Sequence, residues 1–164
     1  MDSLDIVSPY LFTYKRRNFI VQDQFRPKDL DAVQHFELRQ TDVLLITYPK
    51  SGSVWMQQIT VQIMDEAHPE QAEDVSNNSR VPWLEEMSAY DPNRVRPDPR
   101  IFSTHLPPDM LSLAVKDKQI KAVYVWRNSK DVLVSFYHFA QSCVHMETPK
   151  SFEDFFQQFL DGKG

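Results

Sequence analysis

The 164-residue chain is short of several things, and each shortage excludes something. It holds one cysteine, Cys143, so no disulfide can close within it, and a reducing compartment is the simpler setting. It has no excess of positive charge: 18 Lys and Arg face 23 Asp and Glu, for a net charge of -5. General nucleic-acid binding wants a broad basic surface, so that class is set aside, although one local basic site for a small anion is compatible with the balance. No apolar run is long enough to cross a bilayer. The opening MDSLDIVSPYLFTYKRR lacks the long apolar core of a secretory leader. These shortages point to a cytoplasmic protein with no membrane and no nucleic-acid partner. Glycine is scarcest: of Gly52, Gly162 and Gly164, only Gly52 is far from the end. A lone interior glycine between an apolar run and a helical pattern suggests a place where backbone must approach a ligand closely.

Around that glycine the pattern is strand, loop, helix. Val43-Leu44-Leu45-Ile46 is a short continuous apolar run, as in a strand buried on both faces. TYPKSGS follows, and then Trp55, Met56, Ile59 and Ile63 recur near helical spacing. Residues 65–99 are polar and proline-rich, read as loop with short helical pieces. Residues 100–103 make a second short strand ending at Thr104-His105, and Pro107-Pro108 opens a helical pattern, DMLSLAVKDK. Residues 120–126 form the clearest strand, with Arg127 at its end and Ser129 as helix cap. SFEDFFQQFLDG reads as a last helix that starts at Ser151 and stops at Gly162. Residues 1–40 are mixed, with a helical pattern from Pro27-Lys28-Asp29 onward. Strands alternating with helices predict an α/β fold with a parallel sheet flanked by helices.

In such a sheet, ligands bind beyond the carboxyl ends of the strands. Each predicted end carries polar chemistry: Lys50, Ser51, Gly52 and Ser53 at the first, Thr104 and His105 at the second, Arg127, Asn128 and Ser129 at the third. The first loop has the parts of an anion cradle, namely a helix N-terminus with unpaired N–H groups, a lysine and two hydroxyls. It equally fits a capped helix beside a solvated lysine. The order is wrong for the common nucleotide loop, because lysine precedes glycine and the first glycine is missing. That disfavours a kinase reading. Trp55 is either a core aromatic or a stacking surface for a base. His105 is either a capping histidine or a proton carrier. Arg127 either pairs with Asp131 or shares an anion with Ser135. The other histidines, His35, His68, His138 and His145, have no metal-ligand spacing, so no metal is expected.

Taken together, TYPKSGSVWMQQI, RIFSTHLP and VYVWRNSKDVLVSFYHF closely resemble the cytosolic sulfotransferases, whose hallmark stretches occur here in the family's order. The resemblance runs from about Asp29 to the end. It implies a P-loop-like sulfotransferase fold, and sulfuryl transfer from 3'-phosphoadenosine 5'-phosphosulfate to a small acceptor: an amine, a phenol or an alcohol. Lys50 would hold the phosphosulfate and stabilise the leaving oxygen. The backbone of Ser51, Gly52, Ser53 and Val54, with the Ser53 hydroxyl, would cradle the 5'-phosphate. Trp55 would stack on adenine, Arg127 and Ser135 would bind the 3'-phosphate, and His105 would be the general base. The acceptor pocket would draw on Phe25, Pro49, Trp83, Phe139 and Cys143. VPWLE looks like the amine sulfotransferase branch, with Glu86 or Glu147 as the group facing a cationic amine. Three positions depart from the family pattern: Ser53 for threonine, Ser129 for proline or alanine, and Ser103 for the lysine before Thr-His. The last removes any catalytic help from that position. The resemblance also implies that residues 1–164 are a single incomplete domain. The later strand, the C-terminal R-K-G-x-x-G-D-W segment and the segment through which family homodimers form are expected beyond it, leaving a sheet edge exposed. A truncated, non-catalytic chain with weak or no nucleotide binding is the alternative.

Overall fold

In the computed structural model, residues 5–21, 27–89, 96–111, 115 and 120–163 are described, and they fall into two compact units. One unit spans Lys28–Trp126. Its centre is a parallel sheet of β4 (Val43–Thr47), β5 (Ile101–Thr104) and β6 (Lys121–Val125), in the order β5-β4-β6. The register sets Ile46 beside Thr104 and beside Tyr124, so the carboxyl ends of all three strands line up. Leu44 and Leu45 are almost wholly buried, as the continuous apolar run of β4 requires. β5 is buried at all four positions. β6 is not: Tyr124 stands 66% exposed, and Trp126, just past the strand, 74%. Among the described residues no strand pairs with the outer edge of β6.

Helix α1 (Pro27–His35) buries Leu30 and Val33. Helix α2 (Ser53–Ala67) follows the loop. Its buried positions are Gln57 and Val61, and the apolar stripe of Trp55, Ile59 and Ile63 faces outward instead. The polar stretch after it holds a 3-10 turn at Pro69–Gln71, the short helix α3 (Asn77–Arg80) and a 3-10 segment, Leu84–Ala89, in line with the expected loop with helical pieces. The helical pattern after Pro107 begins as a turn, Met110 N–H donating to the Pro107 carbonyl at 2.9 Å, but most of it lies outside the described residues.

At the amino ends of the strands, arginines tie the unit together. Arg100 donates through Nε and a terminal nitrogen to Asp42, which is fully buried and also accepts from the Arg39 N–H. Arg39 pairs with Asp98, and Arg80 pairs with Asp65.

The second unit joins Met1–Pro27 to Arg127–Gly164. Its antiparallel strands β1 (Asp5–Ser8), β2 (Leu11–Tyr14) and β3 (Arg17–Ile20) did not stand out in the sequence. The reason is the turn between β2 and β3. Lys15 and Arg16 both take positive φ, 48° and 64°, in a two-residue hairpin turn that Asn-Gly normally signals. Left-handed backbone costs such residues about 1–2 kcal/mol each. The stacked Phe12–Phe19 pair, worth about 0.5–1.5 kcal/mol, offsets only part of that. Burial of Phe12 and Tyr14 supplies the rest, at about 1.5–3 kcal/mol per large apolar side chain.

Helices α4 (Ser129–Ala140) and α5 (Phe152–Leu160) pack through Leu133, Phe136, Ala140, Met146 and Phe155. The sequence pattern starts the last helix at Ser151; Ser151 instead caps α5, which starts at Phe152, and the Ser151 hydroxyl accepts from Asp154 N–H. Gly162, at φ 69°, ends it: Gly162 N–H reaches the Phe159 carbonyl and Lys163 N–H the Gln158 carbonyl, the paired bonds of a Schellman stop. The expected cap of α4 is corrected by one residue. Asn128, in extended backbone, accepts from Lys130 N–H, and Ser129 is the first helical residue.

Candidate functional site

The loop after β4 is wound by two residues of positive φ, Lys50 at 66° and Gly52 at 109°. Ser51 N–H closes a turn onto the Tyr48 carbonyl at 3.1 Å, and Met56 N–H starts α2 by bonding Gly52. Such alternation turns successive N–H groups toward one side, and the dipole of the 15-residue α2 adds positive potential there. A Cβ on Gly52 would meet no heavy atom within 4 Å. The glycine is therefore required by its backbone angle, and the space beside it is open. Ser53, the first residue of α2, is held from below: its hydroxyl lies 2.6 Å from that of Thr47, the last residue of β4. Trp55, one of the open alternatives, is 76% exposed and is not a core residue.

His105 stands one residue past β5. Its Nδ1 lies 2.7 Å from the Thr47 carbonyl oxygen and 3.1 Å from the Thr47 hydroxyl. A carbonyl oxygen only accepts, so Nδ1 carries the hydrogen and Nε2 keeps its lone pair. Burial pushes the histidine below its ordinary value of 6.5, against the opposing pull of the Thr47 bond. The ring is therefore neutral near pH 7, and its basic nitrogen is Nε2. The Trp83 ring packs on it, 4.4 Å between centroids and tilted 38°.

Thr47 thus links two strand ends, through Ser53 to the loop and through Nδ1 to His105. Ser103, two residues before His105, is buried, and its hydroxyl accepts from the Gln57 side chain at 2.9 Å. Glu85 reaches the same strand: its Oε1 accepts the His105 N–H at 2.6 Å. Glu85 is buried, and desolvation pushes its carboxyl up to about 7 from an ordinary 4.5, although the hydrogen bonds it accepts pull the other way. Glu86, half-buried, is also raised by burial.

Pro49, Lys50, Ser51, Gly52, Ser53, Val54, Trp55, Trp83 and His105 all belong to the Lys28–Trp126 unit. Arg127 and Ser135 belong to the other. Arg127 is exposed two residues past β6, and Ser135 is half-buried in α4. Phe139 and Cys143 are also in that unit; Cys143 packs against the α4–α5 core, while Phe139 is 39% exposed. Phe25 lies outside the described residues. Glu147 is exposed in the second unit.

One cleft falls elsewhere, at the amino end of β5, lined by Arg80, Arg96 and Arg100 among others. Its arginines are engaged with Asp65, with the Ser79 and Arg80 carbonyls and with Asp42, so it reads as a structural clamp and not as an anion site. Thr47, Gln57 and Glu85 went unremarked in the sequence. The hydroxyl that opens TYPKSG was a usable signal for Thr47, but a backbone carbonyl as ring anchor leaves no trace in residue identity.

A sulfotransferase-domain family profile matches residues 40–164. Rabbit amine sulfotransferase (Oryctolagus cuniculus) is 41% identical over 164 residues, covering 98% of this chain and 53% of its own. Human sulfotransferase 1E1 (Homo sapiens) is 36% identical over 138 residues, 81% of this chain and 47% of its own. Among solved structures, mouse sulfotransferase SULT7A1 complexed with PAP aligns at TM-score 0.70 with 25% identity, over 94% of this chain and 52% of that one. Retinol dehydratase in complex with androsterone and inactive cofactor PAP aligns at TM-score 0.72 with 22% identity, over 94% and 55%, a likeness of fold. The chain spans about half the length of the relatives it matches.

Proposed function

The chain belongs to the sulfotransferase family, and from that premise we propose that it transfers a sulfuryl group from 3'-phosphoadenosine 5'-phosphosulfate to a small acceptor in the cytoplasm, as part of a single sulfotransferase domain. The observation that carries the reading is the His105 ring: Nδ1–H is committed to the Thr47 carbonyl, and the neutral Nε2 is left as a base at the strand end next to the Lys50 loop. The donor supplies an activated sulfur whose bond to a phosphate oxygen is the one that breaks. Nε2 takes the proton from the acceptor as its oxygen or nitrogen bonds to sulfur. Lys50, the N–H groups of Ser51 to Val54 and the Ser53 hydroxyl meet the negative charge that gathers on the leaving phosphate, fixed in place before reaction. The open space beside Gly52 fits an anion approaching the backbone closely.

Trp55, exposed at the start of α2, is the shelf for adenine, and Arg127 with Ser135 serves the 3'-phosphate. The Trp83 ring against His105 supports Trp83 and Pro49 as acceptor-pocket residues; the resemblance names Phe25, Phe139 and Cys143 as further candidates. The acceptor is an amine first and a phenol second, supported by the likeness to the rabbit amine sulfotransferase and by VPWLE. Glu86 is the group to meet a cationic amine.

A second reading, a chain that binds nucleotide weakly or not at all, is favoured by the exposure of Tyr124 and Trp126 at β6. Calorimetric titration of the purified chain with 3'-phosphoadenosine 5'-phosphate, beside a thermal melt, separates the two. Micromolar binding with a cooperative melt supports the enzyme; a cooperative melt without binding overturns it.

A further inference from the structure

The outer edge of β5 is covered by the segment VPWLE. In a strand, N–H groups two residues apart point to the same edge, so those of Ser103 and His105 are consecutive ladder positions. The first is filled in the ordinary way: Ser103 N–H donates to the Pro82 carbonyl at 2.9 Å, and Trp83 bridges Ser103 in parallel register. At the second position the backbone of the covering segment has turned into its 3-10 stretch, and a side chain takes over. Glu85 Oε1 accepts the His105 N–H at 2.6 Å. Its other oxygen, Oε2, is buried with no hydrogen-bond partner among the described residues.

A carboxyl group is an expensive way to fill this place. Burying one without full pairing destabilises the fold, whereas burying an apolar side chain of similar size stabilises it. What an apolar side chain lacks is an acceptor for the N–H of His105. That N–H belongs to the residue whose ring is held elsewhere: Nδ1 on the Thr47 carbonyl, and one face on Trp83, two residues before Glu85. Three restraints converge on one histidine. They settle its backbone, its ring face and its tautomer, and they leave Nε2 for the acceptor.

We infer that Glu85 is a positioning residue, whose carboxyl oxygen completes the edge ladder of β5 and holds His105 in the Nδ1–H form that presents Nε2. The inference rests on the reading of His105 as the base. It also ties the acceptor wall to that base, because Trp83 and Glu85 ride on the same short segment stitched to the same strand. A shift of that segment moves both.

The test reads the tautomer of His105 directly, by nitrogen-15 NMR of the histidine rings in the chain as it stands. A merely structural role for Glu85 would alter stability and leave the tautomer alone. In the parent chain His105 is Nδ1–H at neutral pH. Glu85→Gln keeps an oxygen acceptor and keeps that form. Glu85→Leu removes the acceptor, and Nε2–H, the form preferred by the free histidine side chain, grows until it is the major species. A Glu85→Leu chain that melts cooperatively yet holds His105 wholly as Nδ1–H overturns the inference, as does a Gln variant that shifts as far as Leu. If the Leu variant does not melt cooperatively, Glu85→Asp, which withdraws the oxygen by one methylene, is read in its place by the same criterion. Failure of the base reading shows up separately, as turnover retained without the histidine while Glu85 still controls the ring.

Discussion

Replacing Glu85 by glutamine has a consequence for stability whose size follows from the site. The Glu85 carboxyl is raised from an ordinary 4.5 to about 7 by desolvation. A group whose folded value is raised holds its proton more tightly in the native state than in the unfolded chain. The stability it contributes is therefore fully present below pH 4.5 and is lost as pH rises through 7. The shift is roughly two and a half units, and at 1.36 kcal/mol per unit it corresponds to about 3 kcal/mol. Glutamine cannot titrate, so its own cost, an amide nitrogen buried where Oε2 has no partner among the described residues, is the same at every pH. Urea unfolding of both chains between pH 4.5 and 8.5 isolates the effect, since all other groups cancel in the difference. The parent should lose about 3 kcal/mol relative to Glu85→Gln across that window. A difference that stays flat would refute the reasoning and mean that Glu85 is ionised throughout, with water or a cation reaching Oε2.

Other perturbations test neighbouring parts of the account. Thr47→Val removes the hydroxyl beside Ser53 and leaves the carbonyl beside His105, so it should cost about 1 kcal/mol in a thermal melt while His105 keeps its tautomer. Gly52→Ala places a side chain at φ 109°, and although nothing crowds its Cβ, the backbone angle alone should cost about 1–2 kcal/mol in urea unfolding. Asp42→Ala strips the fully buried carboxylate from Arg100 and from the Arg39 N–H, and should cost about 3–5 kcal/mol in urea unfolding, far more than loss of the exposed Arg39–Asp98 pair.

The features legible in the sequence are those that local chemistry decides. β4 was readable because a continuous apolar run between turn residues has few other uses, and the polar ends of β4, β5 and β6 were readable because a parallel sheet collects its ligands there. Ser151 and Gly162 mark α5 by rules that act within a few residues. What was not legible depends on partners far along the chain. The β2–β3 hairpin turns at Lys15-Arg16, a pair that normally avoids positive φ and is held there by the strands. Which face of α2 is buried could not be read from its apolar stripe, since the sheet covers Gln57 and Val61 and leaves Trp55, Ile59 and Ile63 outward. Asn128 and Ser129 are both good caps, and only the extended backbone at Asn128 chooses between them. Glu85 looked like any glutamate in a polar stretch. Its burial follows from Trp83 joining the edge of β5, a contact across twenty residues of sequence.

The most direct measurement is sulfuryl transfer from labelled 3'-phosphoadenosine 5'-phosphosulfate to an aryl amine and to a simple phenol, by the chain and by His105→Ala, with binding of 3'-phosphoadenosine 5'-phosphate followed alongside. The parent should show turnover, with the amine preferred. The variant should lose at least about a hundredfold in kcat, the usual contribution of a general base, while its nucleotide affinity stays nearly unchanged. Turnover retained by His105→Ala would mean that His105 is not the base.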